Sequence, residues 1–404
     1  MKYVLVIGDG MADAPLEELS GKTPIEYLNL PYFDKLAGSE MGLCQTVPRG
    51  IAPGSDTAIL NIFGYDPRKY YSGRSPLEAA GMGVSLKDGD VSMRVNLCAV
   101  EESGDDYVIH SHNGGGIEGA DAENLMKALV SDETFAKMMQ ELNMTIAITR
   151  TFRHIGILGG VSEGAEFFLT EPHNILERKI TQYRPDGTLA EKLWALMLES
   201  FRVLDKNPIN ERRRKNGQLP ANMIWPWGAG RGIQLPSFEE KYGQSGAVIS
   251  AVPLVKGIAM LAGLEYPSVV GATGDLDTNY EGKVSVALES LRNGFDFTAL
   301  HVEAPDEMSH AGSLERKLEA IRRLDARVIK PLLERLGDFG DFRILLLSDH
   351  PTLLSTRTHD GNPVPYALYD SRRAGTPRKF CERECETGAF LTNGDMLMPH
   401  LFEI

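Results

Sequence analysis

Asp349, His350 and His359 follow the apolar run Ile344 to Leu347. Successive side chains on a strand point to opposite faces, so Asp349 and His350 converge only where the strand ends and the chain bends. Pro351 favours that bend, because a residue before proline is driven out of the helical region. Oxygen acceptors and imidazoles at the carboxyl end of a strand suit a divalent metal. A surface turn with a capping Asp is the plainer alternative. Three other stretches supply the same chemistry. Tyr3 to Ile7 is an apolar run closed by Gly8-Asp9-Gly10, which reads as a strand with Asp9 at its tip or as a tight turn. Phe297 to Val302 leads into Asp306 and His310, whose spacing of four places both on one face of a helical turn. Ser55 follows Pro53-Gly54 at the start of a helix expected over Thr57 to Phe63. A Ser there is commonly an N-cap, but Asp56 can serve as cap and leave Ser55 free. A free hydroxyl beside the exposed N–H groups of a helix start is a seat for phosphate, whether loose or attached to the Ser, and Ser55 is expected to be a nucleophile.

Asp9, Ser55, Asp306, His310, Asp349, His350 and His359 thus lie in four segments, each at or just after a strand end. Open parallel sheets gather their sites there. Three Asp, three His and one Ser suffice for two metal ions, an arrangement that stabilises attacking and leaving oxygens in phosphoryl transfer. One ion would acidify the Ser hydroxyl and the other would hold the transferring group.

The elements that must carry these residues belong to a chain of 404 residues, long enough for two domains or one with a large insertion. A hydrophobic share of 42% supports a real core. The net charge of -14 argues against nucleic-acid or anionic-membrane binding, yet leaves room for a small anionic substrate held by local Arg or Lys. Four cysteines form no disulfide framework, and Cys381 and Cys385 read as structural. No segment has the length of a membrane span and the N-terminal apolar run is short for a signal peptide, so a cytoplasmic location is expected.

An α/β texture occupies both ends of the chain. Its expected elements are a helix around Phe33 to Leu36, a strand over Val248 to Val252, a helix over Val255 to Gly263 with Lys256 near its start, a short strand over Ser268 to Gly271, and helices over Val284 to Leu291 and Leu314 to Leu336. Tyr70 to Val84 reads as a helix and connector, hence a boundary. Between the ends come strands over Val91 to Val100, Tyr107 to His110 and Met144 to Thr149, and one helix over Ala120 to Met139. His110 to His112 before the loop Asn113 to Gly116, Arg150, Arg153 and His154 after the Met144 strand, and Arg231 are candidates to clamp an anion. The glycines around Trp225 to Gly232 fit neither a P-loop nor a strand-linked dinucleotide loop.

Read in order, GDGMAD at 8–13, PGSD at 53–56, GRSPLEAAGMG, GAGRG at 228–232, KGIAMLAGL, GATGDLDTNYEGK, EAPDEMSHAG and SDHPT with His359 resemble the cofactor-independent phosphoglycerate mutases. The closer resemblance is to the shorter, archaeal-type branch, within the alkaline phosphatase superfamily. It implies an α/β fold with an alkaline phosphatase-like, mostly parallel sheet flanked by helices. The metal-binding phosphotransfer domain would comprise residues 1–84 and 246–404. Residues 85–245 would form a smaller inserted α/β domain acting as a substrate-binding lid, with hinges near 75–85 and 240–248.

Ser55 resembles the nucleophile that becomes phosphoserine. Asp9, Asp349 and His350, with the Ser55 oxygen, resemble one metal site, and Asp306, His310 and His359 the other. Both ions are expected to be Mn, with Zn or Co also compatible, and no bisphosphoglycerate is needed. The inserted domain would offer His110, Arg150, Arg153 and Arg231 to the substrate. Lys256 and Lys283 both qualify for the family's catalytic-domain lysine. The implied reaction is the isomerisation of 3-phosphoglycerate to 2-phosphoglycerate, in which the trapped glycerate turns and takes the phosphoryl group back on its 2-oxygen. The same site would also suit a homoserine kinase-like phosphotransferase or a metal-dependent phosphatase.

Overall fold

The computed structural model describes residues 1–373 and 375–403. They form two compact units, Met1–Tyr71 with Gln234–Ile404, and Ser72–Ile233. These limits differ from the expected 84/85 and 245/246. Helix Arg74–Gly81 goes with the smaller unit, because Arg94 pairs with its Glu78 at 3.1 Å and Gly230 lies so close to Pro76 that a Cβ would fall 2.9 Å from that ring.

The larger unit has a sheet of seven strands: β1 (Lys2–Gly8), β2 (Glu40–Cys44), β3 (Gly246–Ile249), β4 (Phe297–Val302), β5 (Phe342–Leu347), β6 (Val364–Asp370) and β7 (Ala389–Leu391). Their spatial order is β3-β4-β1-β5-β6-β2-β7. Every neighbouring pair is parallel except those of β6, which runs against both β5 and β2. β1 lies between β4 and β5, with Val4 opposite Thr298 on one side and Ile344 on the other. Covered on both faces, β4 and β5 are buried along their whole length, which is why they read as apolar apart from Thr298, His301 and Arg343.

Five helices matter for the site: α1 (Ser55–Ile62), α2 (Pro253–Leu261), α3 (Tyr280–Arg292), α4 (Ala304–His310) and α5 (Leu314–Leu324). The apolar stripes Val284, Leu288, Leu291 of α3 and Leu318, Ile321, Leu324 of α5 join Val4, Val6, Leu300 and Ile344 in one core.

Three expected elements change form. β3 stops at Ile249, and Ser250 turns its hydroxyl onto Glu303 at 2.8 Å. Ser268 to Gly271 is not a strand; Val270 is 92% exposed and its carbonyl accepts from the Asn279 amide at 2.8 Å, in the approach to α3. The run from Leu314 is interrupted after α5 by a π turn over Asp325–Ile329. That turn carries the Asp325 carboxylate to the N–H groups of Tyr32 and Phe33, at 3.0 and 2.8 Å.

The smaller unit is built on Val91–Ser103, antiparallel to Asp106–Ser111, Arg153–Leu158 and Met223–Arg231. The single helix expected over Ala120 to Met139 is two, Gly119–Ser131 and Glu133–Glu141. Asp132 breaks it by accepting from the N–H groups of Thr134 and Phe135, both at 3.1 Å, and so starts a new helix. This unit has its own core of Leu97, Leu125, Leu129, Leu158, Leu196 and Ile224.

Candidate active site

The register of the sheet sets the carboxyl tips of β4, β1 and β5 side by side, with Gly8 opposite Val302 and Ile7 opposite Leu347. Asp9 leaves β1, α4 with Asp306 and His310 follows β4, and Asp349 and His350 follow β5. Gly10, at φ +59°, lets these turns meet: a Cβ there would lie 2.5 Å from both Asp306 Oδ1 and Thr352 Oγ1. Its N–H donates to Asp349 Oδ1 at 3.0 Å.

Ser55 is the first residue of α1, and Gly54 is its cap position. Asp56 is therefore not the N-cap; its carboxylate accepts from Thr57 N–H at 2.9 Å and from the Tyr71 hydroxyl at 2.6 Å. Ser55 Oγ lies 3.1 Å from His350 Nε2. That nitrogen is also 3.2 Å from Asp349 Oδ2 and 3.8 Å from Asp9 Oδ1. His310 Nε2 lies 3.2 Å from Asp306 Oδ2 and 2.9 Å from His359 Nε2. His359 is brought in by a small hairpin in which Thr352 pairs with it, and its Nε2 is 3.6 Å from Asp306 Oδ1. The structure thus gathers all seven residues singled out at the strand ends.

Three carboxylates in so small a space repel one another. Burial, then the charges of Asp349 and Asp306, raise Asp9 well above the usual carboxylate range. Burial also pushes Asp306 upward, but the His310 hydrogen bond and the neighbouring imidazoles outweigh it and hold that carboxyl far below its usual range. The bond to Asp306 lifts His310 to about 9, whereas burial and the charge of His350 lower His359.

Asp9 Oδ1 and Asp349 Oδ2 are buried without a hydrogen-bond partner. The ligand atoms of Asp9, Asp349 and His350 lie within 4.8 Å of one another, as do those of Asp306, His350 and His359. Orphaned carboxylate oxygens converging with imidazole nitrogens fit divalent cations well. His350 stands in both groups, between the two sets that the resemblance separates.

A supporting layer lies behind these residues. Lys283, weighed as a substrate contact, is wholly buried: its Nζ donates to Glu303 Oε2 at 2.6 Å and to the His301 carbonyl at 2.8 Å, so it does not face a substrate. Burial alone would lower His301, but its bonds to Asp9 and Glu303 raise it to about 10. Lys256 on α2 has its ammonium 5.9 Å from the Tyr266 ring. Lys317 Nζ, also fully buried, donates to Asp13 Oδ2 at 2.8 Å, the Thr352 carbonyl at 2.8 Å and the Ala12 carbonyl at 3.3 Å. It staples the turn after β1 to the turn after β5. Lys317→Met strands the Asp13 charge and is expected to cost about 3–5 kcal/mol, read as a lower midpoint of urea unfolding.

In the smaller unit the anticipated anion ligands are differently employed. His110 lies between Glu101 and Glu177, at 3.1 and 3.0 Å. Arg150 is exposed, 3.6 Å from Glu123. Arg231 donates to the carbonyls of Val161, Ser162 and Glu163. Arg153 sits 4.9 Å from the Phe152 ring. His154, in the same stretch, is buried, and burial lowers it to about 4. A cluster of one arginine and two histidines forms instead around Trp227, with the arginine paired to Glu78. Arg94 lies 4.2 Å over its ring, His173 has its ring centroid 5.4 Å away, and His112 is 6.1 Å beyond His173. Burial and the charges of His173, Arg153 and Arg94 lower His112. Sequence reading missed Arg94 and His173, which come from segments far apart in the chain.

A family model for 2,3-bisphosphoglycerate-independent phosphoglycerate mutase matches residues 37–210. A Methanosarcina acetivorans protein bearing that name is 44% identical over 371 residues, covering 91% of this chain and 90% of its own. Among solved structures, a Pyrococcus horikoshii protein is 30% identical with a TM-score of 0.79, covering 100% of this chain and 97% of its own. The cofactor-independent phosphoglycerate mutase of Thermoplasma acidophilum is 27% identical with a TM-score of 0.66, covering 100% and 99%. Among the described residues, no helix is long and apolar enough to cross a membrane.

Proposed function

The chain belongs to the 2,3-bisphosphoglycerate-independent phosphoglycerate mutase family, and from that premise we propose that it interconverts 3-phosphoglycerate and 2-phosphoglycerate through a phosphoserine on Ser55. The observation that carries this reading is the seat of Ser55 Oγ, 3.1 Å from His350 Nε2 and at the amino end of α1.

Asp9, Asp349 and His350, with Ser55, would hold one divalent ion, and Asp306, His310 and His359 the other. Oxygen and imidazole donors suit Mn, and also Zn or Co. When bound, such ions supply Lewis acidity to the phosphoryl oxygens and favour the alkoxide form of a hydroxyl. The Ser55 oxygen attacks phosphorus in line, the bond from phosphorus to the glycerate 3-oxygen breaks, and phosphoserine forms. The N–H groups of Ser55 and Asp56 at the start of α1 would hold the phosphoryl oxygens. The glycerate 2-oxygen then attacks the same phosphorus and releases Ser55. The phosphoryl group comes from the substrate itself, so no bisphosphoglycerate primer enters. In the smaller unit, the exposed Arg153 and His173, with His112, are proposed to offer hydrogen-bond donors to a charged end of the substrate.

Phosphorus NMR of the protein with Mn and 3-phosphoglycerate, without ATP or bisphosphoglycerate, tests the reading. A 2-phosphoglycerate signal is expected, reaching the same ratio from either starting compound. Release of inorganic phosphate alone would overturn it in favour of hydrolysis.

A further inference from the structure

A line of buried polar groups runs from α3 to the tip of β1. Lys283 Nζ donates to Glu303 Oε2 at 2.6 Å. Glu303 Oε1 accepts from the Ser250 hydroxyl at 2.8 Å and Ala251 N–H at 2.9 Å, and lies 3.2 Å from His301 Nδ1. His301 Nε2 in turn lies 3.0 Å from Asp9 Oδ2. Each charged member is at most 4% exposed. The register explains the meeting: His301 on β4 is directly opposite Ile7 on β1, two residues before Asp9.

We propose that His301, fixed by Glu303 and Lys283, is a positioning residue for Asp9. A carboxylate rotates easily about its last torsion. The ion-pair contact of His301 Nε2, 3.0 Å from Oδ2, favours one rotamer of the carboxylate. It leaves Oδ1, which has no protein partner, on the side of His350. Asp9 is thereby set to offer one oxygen only. The His301 ring is itself held from its far side, since Glu303 is anchored from β3, α3 and its own strand end. Outer partners of this kind typically change metal affinity 10–100-fold. None of the four residues behind Asp9 is among the candidate metal ligands, so their loss leaves the ligand set intact.

The inference rests on the two-ion reading above, and its test separates the two. The full-length protein, stripped of divalent ions and without substrate, is titrated with Mn²⁺, with free Mn²⁺ followed by electron paramagnetic resonance. Wild type, His301→Ala, His301→Gln and Glu303→Gln are compared. His301→Ala is expected to weaken one of two Mn²⁺ sites about 10–100-fold and to leave the other as in wild type. His301→Gln, which keeps an N–H for Asp9, should recover part of the loss. Glu303→Gln should weaken the same site by less. Unchanged affinities in a folded His301→Ala, or an equal loss at both sites, would overturn the proposal. If His301→Ala does not fold, Glu303→Gln decides: selective weakening of one site supports the proposal and unchanged binding refutes it. Wild type that binds no Mn²⁺ would refute the two-ion reading itself, a different result from two intact sites in every variant.

Discussion

Ser55→Ala is expected to slow the interconversion of 3- and 2-phosphoglycerate by on the order of 10⁴-fold or more. Among the described residues, no neighbouring hydroxyl is free to replace it. Thr57 Oγ1 already donates toward the Ala52 and Gly54 carbonyls, at 3.2 and 3.1 Å. Thr352 Oγ1 is committed to Asp306 at 2.6 Å. The remaining six residues at the strand ends keep their places, so the variant should still take up divalent ions and unfold near the wild-type temperature. Acid quenching with labelled substrate supplies the second readout: wild type should carry phosphate on the protein and the variant none. Turnover retained in Ser55→Ala would remove this hydroxyl from the mechanism.

Stripping divalent ions is expected to stop the reaction and to lower the unfolding temperature. Asp9 and Asp349 are buried, and each has an oxygen without a hydrogen-bond partner. Burial and the neighbouring carboxylates already drive Asp9 toward its protonated form, so opposite charge placed among them favours the folded state. A ligand that binds only the folded protein stabilises it by about 4 kcal/mol at a thousandfold excess over its Kd. In a domain of this size that corresponds to roughly 10 °C. Calorimetry in chelator, then with Mn²⁺ restored, reads the shift. Asp349→Asn should abolish most of it. An unchanged melting temperature together with full activity in chelator would sink the two-ion reading.

The strand tips were legible because buried parallel strands appear as apolar runs, and Gly8 to Gly10 and Pro351 mark where two of them end. The spacing of Asp306 and His310 was legible as a helical face. Lys283 and Lys317 were not. Each stands within an apolar stripe, Lys283 among Tyr280, Val284 and Leu288, and Lys317 among Leu314, Leu318 and Ile321. A charge at such a place is the available signal for burial, but its partner, Glu303 or Asp13, lies in another element. His301 gave the same kind of hint, an imidazole inside the mostly apolar β4. Spacing along one element says nothing about partners across a sheet, so the network behind Asp9 needed the register to be seen. Arg94, His173 and Trp227 escaped for a related reason: each is ordinary in its own segment, and only folding brings them together. The break at Asp132 lost to simple periodicity, since helix Gly119–Ser131 and helix Glu133–Glu141 together mimic one amphipathic run.

The place of β1 has a consequence for how the chain is made. It precedes the other strands of its sheet, yet both of its hydrogen-bonded neighbours, β4 and β5, follow only after the whole of Ser72–Ile233. The contiguous stretch Ser72–Ile233 has its partners close at hand and can gather during synthesis. Lys2–Gly8 spends that interval as an unpaired, strongly apolar strand, exposed to chance pairing with other chains. Asp9 and Ser55 are present early but have nothing to meet until β5 and its trailing turn emerge. The proposed site therefore stays unassembled until the turn carrying His359 has been made, and a chain stopped before it lacks part of the ligand set.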